Sequence, residues 1–242
     1  MKPSDTKVVI FAGGMGKRIG SRKPKPLLVV RGKTLLERCV QFFMESGFEE
    51  FVFLLGYGAE QVLNHIDKIC KDYKYSIDPA VGFGRLNSLL YALKRGIIDR
   101  NKRAFFSYPD DILLGEKLAL QILNKHISAL NKIGIIASVV LSEGIESPYG
   151  IAYLGKEGRV RKFDEKPFLP LNVSVGHYIF EPEVYGFATK EIGDGEIETS
   201  LFPKLASMKK LNGIVIPRDK WVPINTRKEL EVANSILQVL KG

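Results

Sequence analysis

The sequence has few of the groups that stabilise secreted proteins or anchor proteins in membranes. Among 242 residues there are two cysteines, Cys39 and Cys70, in helix-like stretches without metal-binding or redox spacing, which is typical of a reducing cytoplasm. No apolar run approaches the ~20 residues that a membrane-spanning helix needs. The polar start, Met1 to Lys7, leads straight into a strand-like segment and does not resemble a signal peptide. We therefore expect a cytoplasmic protein without a membrane partner.

Histidine is also scarce, and this limits the chemistry. His65, His126 and His177 lie far apart in the chain, without the spacing of metal ligands. No Ser-His-Asp or Cys-His set is recognisable, so nothing predicts a covalent enzyme intermediate. We expect any group transfer to proceed by direct attack of one substrate on the other.

The net charge of +9 has more than one interpretation. It could serve a phosphate-rich ligand, or it could reflect a lysine-rich surface. We expect no nucleic-acid partner, because no clustered basic face with interleaved aromatic residues is visible. The basic residues are spread along the chain, and the one local cluster consists of Arg18, Arg22, Lys23 and Lys25.

Apolar, β-branched runs alternate with helical patterns, which predicts an α/β protein. We expect a Rossmann-like, three-layer α/β/α fold with a mixed, mainly parallel central sheet, and a single domain over residues 1–242 without linkers or repeats. The expected strands are Val8–Ala12, Glu50–Leu55, Ala104–Tyr108, Ile135–Leu141, a hairpin of Tyr149–Leu154 and Val160–Asp164, Val173–Phe180 and Gly213–Ile216. The expected helices are Leu35–Ser46, Glu60–Tyr73, Ser88–Arg95, Lys117–Lys132, Glu198–Met208 and Arg227–Leu240.

A glycine-rich loop with a basic flank follows the first expected strand. It reads Ala12-Gly13-Gly14-Met15-Gly16-Lys17-Arg18 and is followed by Pro24-Lys25-Pro26. Glycines at the end of a strand let the backbone approach a polyanion with N–H groups pointing inward. Arg18 adds a planar fork of donors and Lys25 a mobile charge. The spacing fits neither a P-loop nor the dinucleotide fingerprint, since Ile19 stands where the latter needs its last glycine.

This loop resembles the signature of sugar-1-phosphate nucleotidylyltransferases, the NDP-sugar pyrophosphorylases. The resemblance implies that residues 12–16 bind the nucleotide, that Arg18 stabilises the transferring phosphate and that Lys25 contacts phosphate. Lys17 departs from the family's small hydroxyl residue, and the short segment 20–23 is closer to molybdopterin guanylyltransferases and related cytidylyltransferases. The nucleotide base therefore stays open.

The resemblance continues to the end of the chain. Gly84 lies where the family's Gly-Thr-Ala loop contacts base and sugar, although Arg85 and Leu86 replace Thr-Ala. Glu165-Lys166-Pro167 matches the family's Glu-Lys-Pro, which implies that Glu165 holds sugar hydroxyls and Lys166 the sugar phosphate. By the same resemblance, Asn172 and Gly176 belong to the sugar-binding stretch.

Two adjacent carboxylates follow the Ala104–Tyr108 strand, where open α/β sheets bind ligands. Hard oxygen ligands of this kind suit Mg²⁺. By the resemblance, the family's single aspartate corresponds to Asp111, and we expect a supporting or helix-capping role for Asp110. Pro223 stands where many members carry the second ligand, so Asn225 is the candidate for that role, with a turn residue as the alternative.

The resemblance thus implies an enzyme that forms an NDP-sugar and pyrophosphate from a nucleoside triphosphate and a sugar-1-phosphate, of the glucose-1-phosphate or mannose-1-phosphate type. The acceptor phosphate would attack in line with assistance from Mg²⁺. A catalytically silent nucleotide-sugar-binding regulatory protein remains an alternative, as does a cytidylyl- or guanylyltransferase that acts on a non-sugar phosphate. A glycosyltransferase is disfavoured, because Asp110 and Asp111 are adjacent rather than in Asp-x-Asp. Homo-oligomers stay open.

Overall fold

The computed structural model describes residues 3–188 and 195–239. The strands of this part of the chain agree in most places with the pattern expected from the sequence, and Val173–Phe180 is reproduced residue for residue. They are β1 Thr6–Phe11, β2 Val29–Val30, β3 Lys33–Thr34, β4 Phe51–Leu55, β5 Tyr73–Ile77, β6 Arg103–Ser107, β7 Asp111–Leu113, β8 Ala137–Ser142, β9 Ile145–Glu146, β10 Ile151–Leu154, β11 Val160–Asp164, β12 Phe168–Leu169, β13 Val173–Phe180, β14 Leu211–Ile216 and β15 Trp221–Pro223.

The helices also follow the expected order, and a π-helical turn over Ile197–Leu201 leads into the sixth. They are α1 Leu35–Met44, α2 Ala59–Ile69, α3 Arg85–Lys94, α4 Leu118–Ile133, α5 Val184–Phe187, α6 Phe202–Ser207 and α7 Arg227–Val239. Leu240, the expected end of the last helix, lies outside the described residues. No helix in the described ranges has both the length and the apolar character to cross a bilayer.

Seven strands form one central sheet in the order β14-β8-β13-β6-β1-β4-β5. β1 is parallel to β4 and to β6, β4 is parallel to β5, and β14 is parallel to β8. β13 alone in this sheet is antiparallel to its neighbours β6 and β8. The expected mixed, mainly parallel sheet is confirmed.

Helices cover both faces of this sheet, and β1 shows why its sequence is apolar throughout. Val8 and Ile10 pack with side chains of α1, α2 and α4 on one face. Val9 packs with side chains of α3, α5 and α6 on the other. A strand that is buried on both faces has no polar side to alternate with. The expected three-layer α/β/α arrangement is confirmed, whereas the assignment of residues 1–242 to one domain stays a prediction.

The expected end of the second helix is wrong. The sequence pattern carried the second helix to Tyr73, but α2 ends at Ile69, Cys70 is extended, and Tyr73–Ile77 forms β5 at the edge of the sheet. Among the described residues, β5 pairs on one side only, with β4. Such an edge strand needs few apolar residues, so Tyr-Lys-Tyr-Ser-Ile gives a weak strand signal. The correction places Asp78 at the end of this strand.

The carboxyl ends of β1, β4, β5, β6 and β8 lie at one edge of the sheet, together with the amino end of β13, as the pairings require. The expected hairpin is confirmed as β10 and β11, which lie between β8 and β13 in the chain. Ligands of open α/β sheets bind at this edge.

Candidate active site

A cavity of about 350 Å³ opens at the carboxyl edge of the sheet. Six of the residues assigned to the site from the sequence line it. These are Gly13, Gly14, Lys25, Gly84, Asp111 and Asn225. The other lining residues include Phe11, Leu54, Asp78, Phe83, Arg85, Ser88, Tyr108, Asp110 and Glu196.

The glycine loop leaves β1 and passes close to the loop after β4. A Cβ on Gly13 would lie 2.9 Å from the backbone nitrogen of Gly56, so no larger residue fits there without a shift. Gly16 has a φ of 71°, a left-handed conformation that favours glycine. Within the described residues, no hydrogen bond uses the N–H groups of Gly14, Met15 or Gly16. These donors are therefore available to an anion.

Lys25 is fixed to the glycine loop and reaches across the cavity. Its backbone N–H donates to the carbonyl of Gly14 at 2.9 Å, and Gly16 packs against its side chain. Its ammonium group forms an ion pair with the Asp110 carboxylate and donates to Oδ1 of Asn225 at 3.2 Å. The loop, an acidic group and an amide that are distant in sequence thus meet at one cation.

Asp111 begins β7, and its carboxylate is enclosed by protein groups. The indole Nε1 of Trp221 donates to its Oδ1 at 2.8 Å. A Cβ on Gly176 would collide with its Oδ2, and would lie 2.6 Å from a ring carbon of Tyr108. Burial, and then the neighbouring Asp110 carboxylate, raise the pKa of Asp111 to about 8. Because burial and Asp110 disfavour its ionised form, a nearby cation would stabilise the ionised Asp111 carboxylate.

His177 also supports Asp111, through the backbone. Its Nε2 lies 2.8 Å from the carbonyl oxygen of Asp111 and therefore carries the proton. Burial lowers the pKa of His177 to about 4. The ring is neutral near pH 7 and positions the backbone of Asp111.

Asn225 lies where β15 leads into α7. Pro223 is opposite Asp111 in the antiparallel β7–β15 pair and offers no ligating side chain. The Glu229 carboxylate accepts hydrogen bonds from the backbone N–H groups of Asn225 and Thr226, both at 2.8 Å. Glu229 and Thr226 cap the start of α7, and Asn225, the residue before them, lines the cavity.

Several residues assigned from the sequence lie outside this cavity. Arg18 is exposed in a 3₁₀ turn, and Asn172 is exposed just before β13. Glu165 and Lys166 are 65% and 64% exposed between β11 and β12, with their charged groups 3.9 Å apart. Ala12 is buried beneath the glycine loop, where its N–H donates to the carbonyl of Leu54. Met15 and Gly16 belong to the loop without lining the cavity.

The cavity also contains charged residues to which sequence reasoning gave no role. The Arg85 guanidinium lies 5.1 Å from the centre of the Tyr108 ring and pairs with Glu196 at 2.6 Å and with Glu198 at 3.5 Å. The positive charge of Arg85 is thus paired with protein carboxylates. The replacement of Thr-Ala by Arg85-Leu86 was the signal that could have found this cluster.

Asp78 is the second such residue. Its N–H donates to the carbonyl of Leu55 at 2.8 Å, and its Oδ2 accepts from the Ser88 hydroxyl at 2.8 Å. Burial raises the pKa of Asp78 to about 6. The sequence analysis gave no role to this carboxylate, because the expected second helix ended at Tyr73 and no strand was expected over Tyr73–Ile77.

Known proteins resemble this chain over almost its whole length. The family model described as nucleotidyl transferase matches residues 7–238. Mannose-1-phosphate guanylyltransferase 1 of Arabidopsis thaliana is 28% identical over 236 residues, 92% of this chain and 62% of the relative. The catalytic subunit beta of mannose-1-phosphate guanylyltransferase from Drosophila pseudoobscura pseudoobscura is 26% identical over 237 residues, 93% of this chain. This chain spans 60% of the length of that relative.

Solved structures show the same architecture. The crystal structure of HddC from Yersinia pseudotuberculosis complexed with GMP-PN is 16% identical, with a TM-score of 0.69. The likeness covers 96% of this chain and 99% of that one. It confirms the expected nucleotide-diphospho-sugar transferase fold.

Proposed function

The chain belongs to the nucleotidyl transferase family, and from this premise we propose that it transfers a nucleotidyl group from a nucleoside triphosphate to a sugar-1-phosphate. The products are an NDP-sugar and pyrophosphate. Relatives that are named mannose-1-phosphate guanylyltransferases support an acceptor of the mannose-1-phosphate or glucose-1-phosphate type. The substrates are part of the proposal, since the chain spans about three fifths of the length of these relatives.

One observation carries the proposal: a single cavity brings together an anion-binding loop and a set of hard oxygen ligands. The unpaired N–H groups of the loop and the Lys25 ammonium suit the phosphates of a triphosphate. The oxygens of Asp110, Asp111 and Asn225 suit a divalent cation. Nucleotidyl transfer needs both in one place.

The oxygen set fits Mg²⁺ in chemistry and in charge. Lys25 lies between the Asp110 carboxylate and the Asn225 amide, so these oxygens already attract one cation in the protein. Asp110, Asp111 and Asn225 would hold the metal. When bound, Mg²⁺ would neutralise charge on the phosphoryl oxygens.

The reaction needs a nucleophile, a leaving group and charge stabilisation. A phosphate oxygen of the acceptor attacks the α-phosphorus and forms a new P–O bond. The bond from that phosphorus to the β-phosphate oxygen breaks, and pyrophosphate leaves with the electron pair. The acceptor phosphate is already ionised near pH 7, so no general base is required. Arg18 and Lys25 are proposed to stabilise the charge of the transferring group and of the departing pyrophosphate.

The acceptor is proposed to bind at the β6–β13 side of the cavity, beside the Asp111 carboxylate that packs against Gly176. Glu165 and Lys166 are proposed to reach its hydroxyls and phosphate, together with Asn172. Lys166 has a φ of 47° and separates β11 from β12, so this segment leaves regular strand pairing. Adjacent side chains there are not forced to opposite faces, as they are in a strand.

A substrate panel tests the proposal. Five nucleoside triphosphates are combined with glucose-1-phosphate, mannose-1-phosphate and a polyol phosphate, and pyrophosphate release is measured. We expect release with a sugar-1-phosphate, loss of release on chelation, and loss of most activity in Asp111→Ala with the fold intact. Activity with the polyol phosphate alone would favour the non-sugar acceptor. Nucleotide-sugar binding without release under any combination would favour the silent regulatory protein.

The site of action is proposed to be the cytoplasm. Cys39 and Cys70 are free and buried in this structure, which fits a reducing compartment. Whether the chain forms a homo-oligomer stays a prediction.

A further inference from the structure

The cavity has two ends, and the carboxylates of the metal-binding set occupy only one. Asp110 and Asp111 follow β6, the glycine loop follows β1, and Asp78 follows β5. In the sheet order β6-β1-β4-β5, Asp78 is three strand positions from the aspartates. At ~4.8 Å for each step this is roughly 14 Å, with the glycine loop in between. A nucleotide whose phosphates lie at the loop and at β6 would extend its base towards Asp78.

The Asp78 end of the cavity has the composition of a site for a flat, polar-edged ring. Phe83 and Leu54 supply apolar surface, and the backbone of the Gly82–Gly84 turn lies beside them. In the part of the chain that the structure describes, no cation pairs with Asp78. Lys25 pairs with Asp110, and Arg85 pairs with Glu196 and Glu198. The only partner of the Asp78 carboxylate within the described ranges is the Ser88 hydroxyl, which occupies Oδ2. Oδ1 and the second lone pair of Oδ2 are left for a ligand.

We propose that Asp78 selects guanine, by accepting hydrogen bonds from N1–H and the N2 amino group of the base. An ionised carboxylate offers acceptors and no donor. Guanine presents two adjacent donors on its Watson–Crick edge. Adenine and cytosine place an acceptor beside their single amino group, and uracil and thymine flank one N–H with two carbonyl oxygens. Only guanine matches a carboxylate without bringing a lone pair against it. This inference rests on the proposed nucleotidyl transfer and names its donor as GTP.

The arrangement also holds the carboxylate in place. The backbone N–H of Asp78 donates to the carbonyl of Leu55, and its Oδ2 accepts from the Ser88 hydroxyl. A fixed acceptor loses little conformational freedom when the base binds. Hydrogen bonds to an ionised group are also about twice as strong as neutral ones.

Inosine triphosphate is the sharpest probe, because it differs from GTP only by the missing N2 amino group. In the wild-type protein with Mg²⁺ and sugar-1-phosphate, we expect kcat/KM for GTP to exceed that for ITP by roughly 10-fold or more. Asp78→Asn replaces one acceptor by a donor and keeps the shape. We expect it to lower kcat/KM for GTP by roughly 10- to 100-fold, and to bring the GTP-to-ITP ratio close to one. Asp72→Asn, at an exposed aspartate just before β5, should leave the ratio unchanged.

Calorimetric binding of GDP and IDP separates this inference from the proposed function. GDP binding that exceeds IDP binding and depends on Asp78, without pyrophosphate release from any pair of substrates, would support the base assignment and overturn the transfer reaction. Pyrophosphate release with another base preferred, or a GTP-to-ITP ratio that Asp78→Asn does not change, would overturn the base assignment alone. The GTP-to-ITP ratio of kcat/KM is measured on the wild-type protein, without a variant. A wild-type ratio close to one would therefore overturn the base assignment even if Asp78→Asn does not fold.

Discussion

Gly176→Ala should damage the site through Asp111. The added Cβ would collide with Oδ2 of Asp111 and approach a ring carbon of Tyr108 to 2.6 Å. The first atom belongs to a proposed metal ligand, which the indole of Trp221 also holds through Oδ1. We expect the carboxylate to be displaced, because the aromatic ring and the strand behind it are buried.

The magnitude has a part that concerns stability and a part that concerns function. Gly176 has a φ of 69°, and a non-glycine residue in this conformation costs about 1 kcal/mol. In a protein of this size that lowers Tm by about 2–4 °C. A ligand displaced by ~1 Å can reduce the rate by ~100-fold. The loss of activity should therefore greatly exceed what the loss of stability explains.

Gly134→Ala is the matched control. Gly134 ends α4 with a φ of 63°, and a Cβ there would meet no atom within 4 Å. Gly134→Ala should show the cost of the backbone conformation alone in thermal denaturation, and Gly176→Ala should lose more stability because its methyl group also meets Asp111 and Tyr108. Only Gly176→Ala should lose kcat and need more Mg²⁺ for half-maximal rate. If Gly176→Ala keeps wild-type kcat and Mg²⁺ dependence, Asp111 does not ligate Mg²⁺ as proposed.

Three further predictions concern charged groups. Arg18→Ala should lower kcat by roughly 10²–10³-fold and raise the KM for the triphosphate less, and Arg18→Lys should not restore the rate fully; an effect on KM alone in steady-state kinetics would limit Arg18 to binding. Asp78→Asn should stabilise the protein at pH 8, since burial raises the folded pKa to about 6 from 3.8 and penalises the ionised form above it. The gain in unfolding free energy, measured by denaturant titration, should be on the order of 1 kcal/mol after allowance for solvent screening. It should decline as the pH falls through 6 and vanish below about pH 4. A gain that does not change with pH would exclude titration of Asp78 as its cause. Glu165→Ala should weaken discrimination between sugars, and Lys166→Ala should raise KM for every phosphorylated acceptor; collapse of triphosphate affinity instead would assign the pair to the other substrate.

The glycine loop could be predicted because its chemistry is local. Three glycines, a strand before them and basic residues after them are visible within a few positions of the sequence. The structure adds the contacts that such a pattern does not contain. The ion pair of Lys25 with Asp110, and its hydrogen bond to Asn225, join segments that are 85 and 200 residues apart. Only the sheet order brings them together.

Asp78 is a residue of the candidate site that could not be predicted from the sequence. A polar edge strand contributes little hydrophobic periodicity, so the sequence pattern predicts no strand over Tyr73–Ile77 and does not point to the carboxylate at its end. The family resemblance did not point to Asp78 either, because it placed the contacts with the base in the loop at Gly84. The exposure of Glu165 and Lys166 was likewise not visible in the sequence, since a short motif does not reveal how far its segment lies from the cavity.

Transfer of isotope from the triphosphate tests the central claim most directly. With a sugar-1-phosphate and Mg²⁺, label in the α-phosphorus should appear entirely in the sugar nucleotide, and label in the γ-phosphorus entirely in pyrophosphate. Neither label should appear in inorganic phosphate. Label from the α-phosphorus in pyrophosphate or on the protein, or no sugar nucleotide from any pair of substrates, would contradict direct attack of the acceptor on the α-phosphorus.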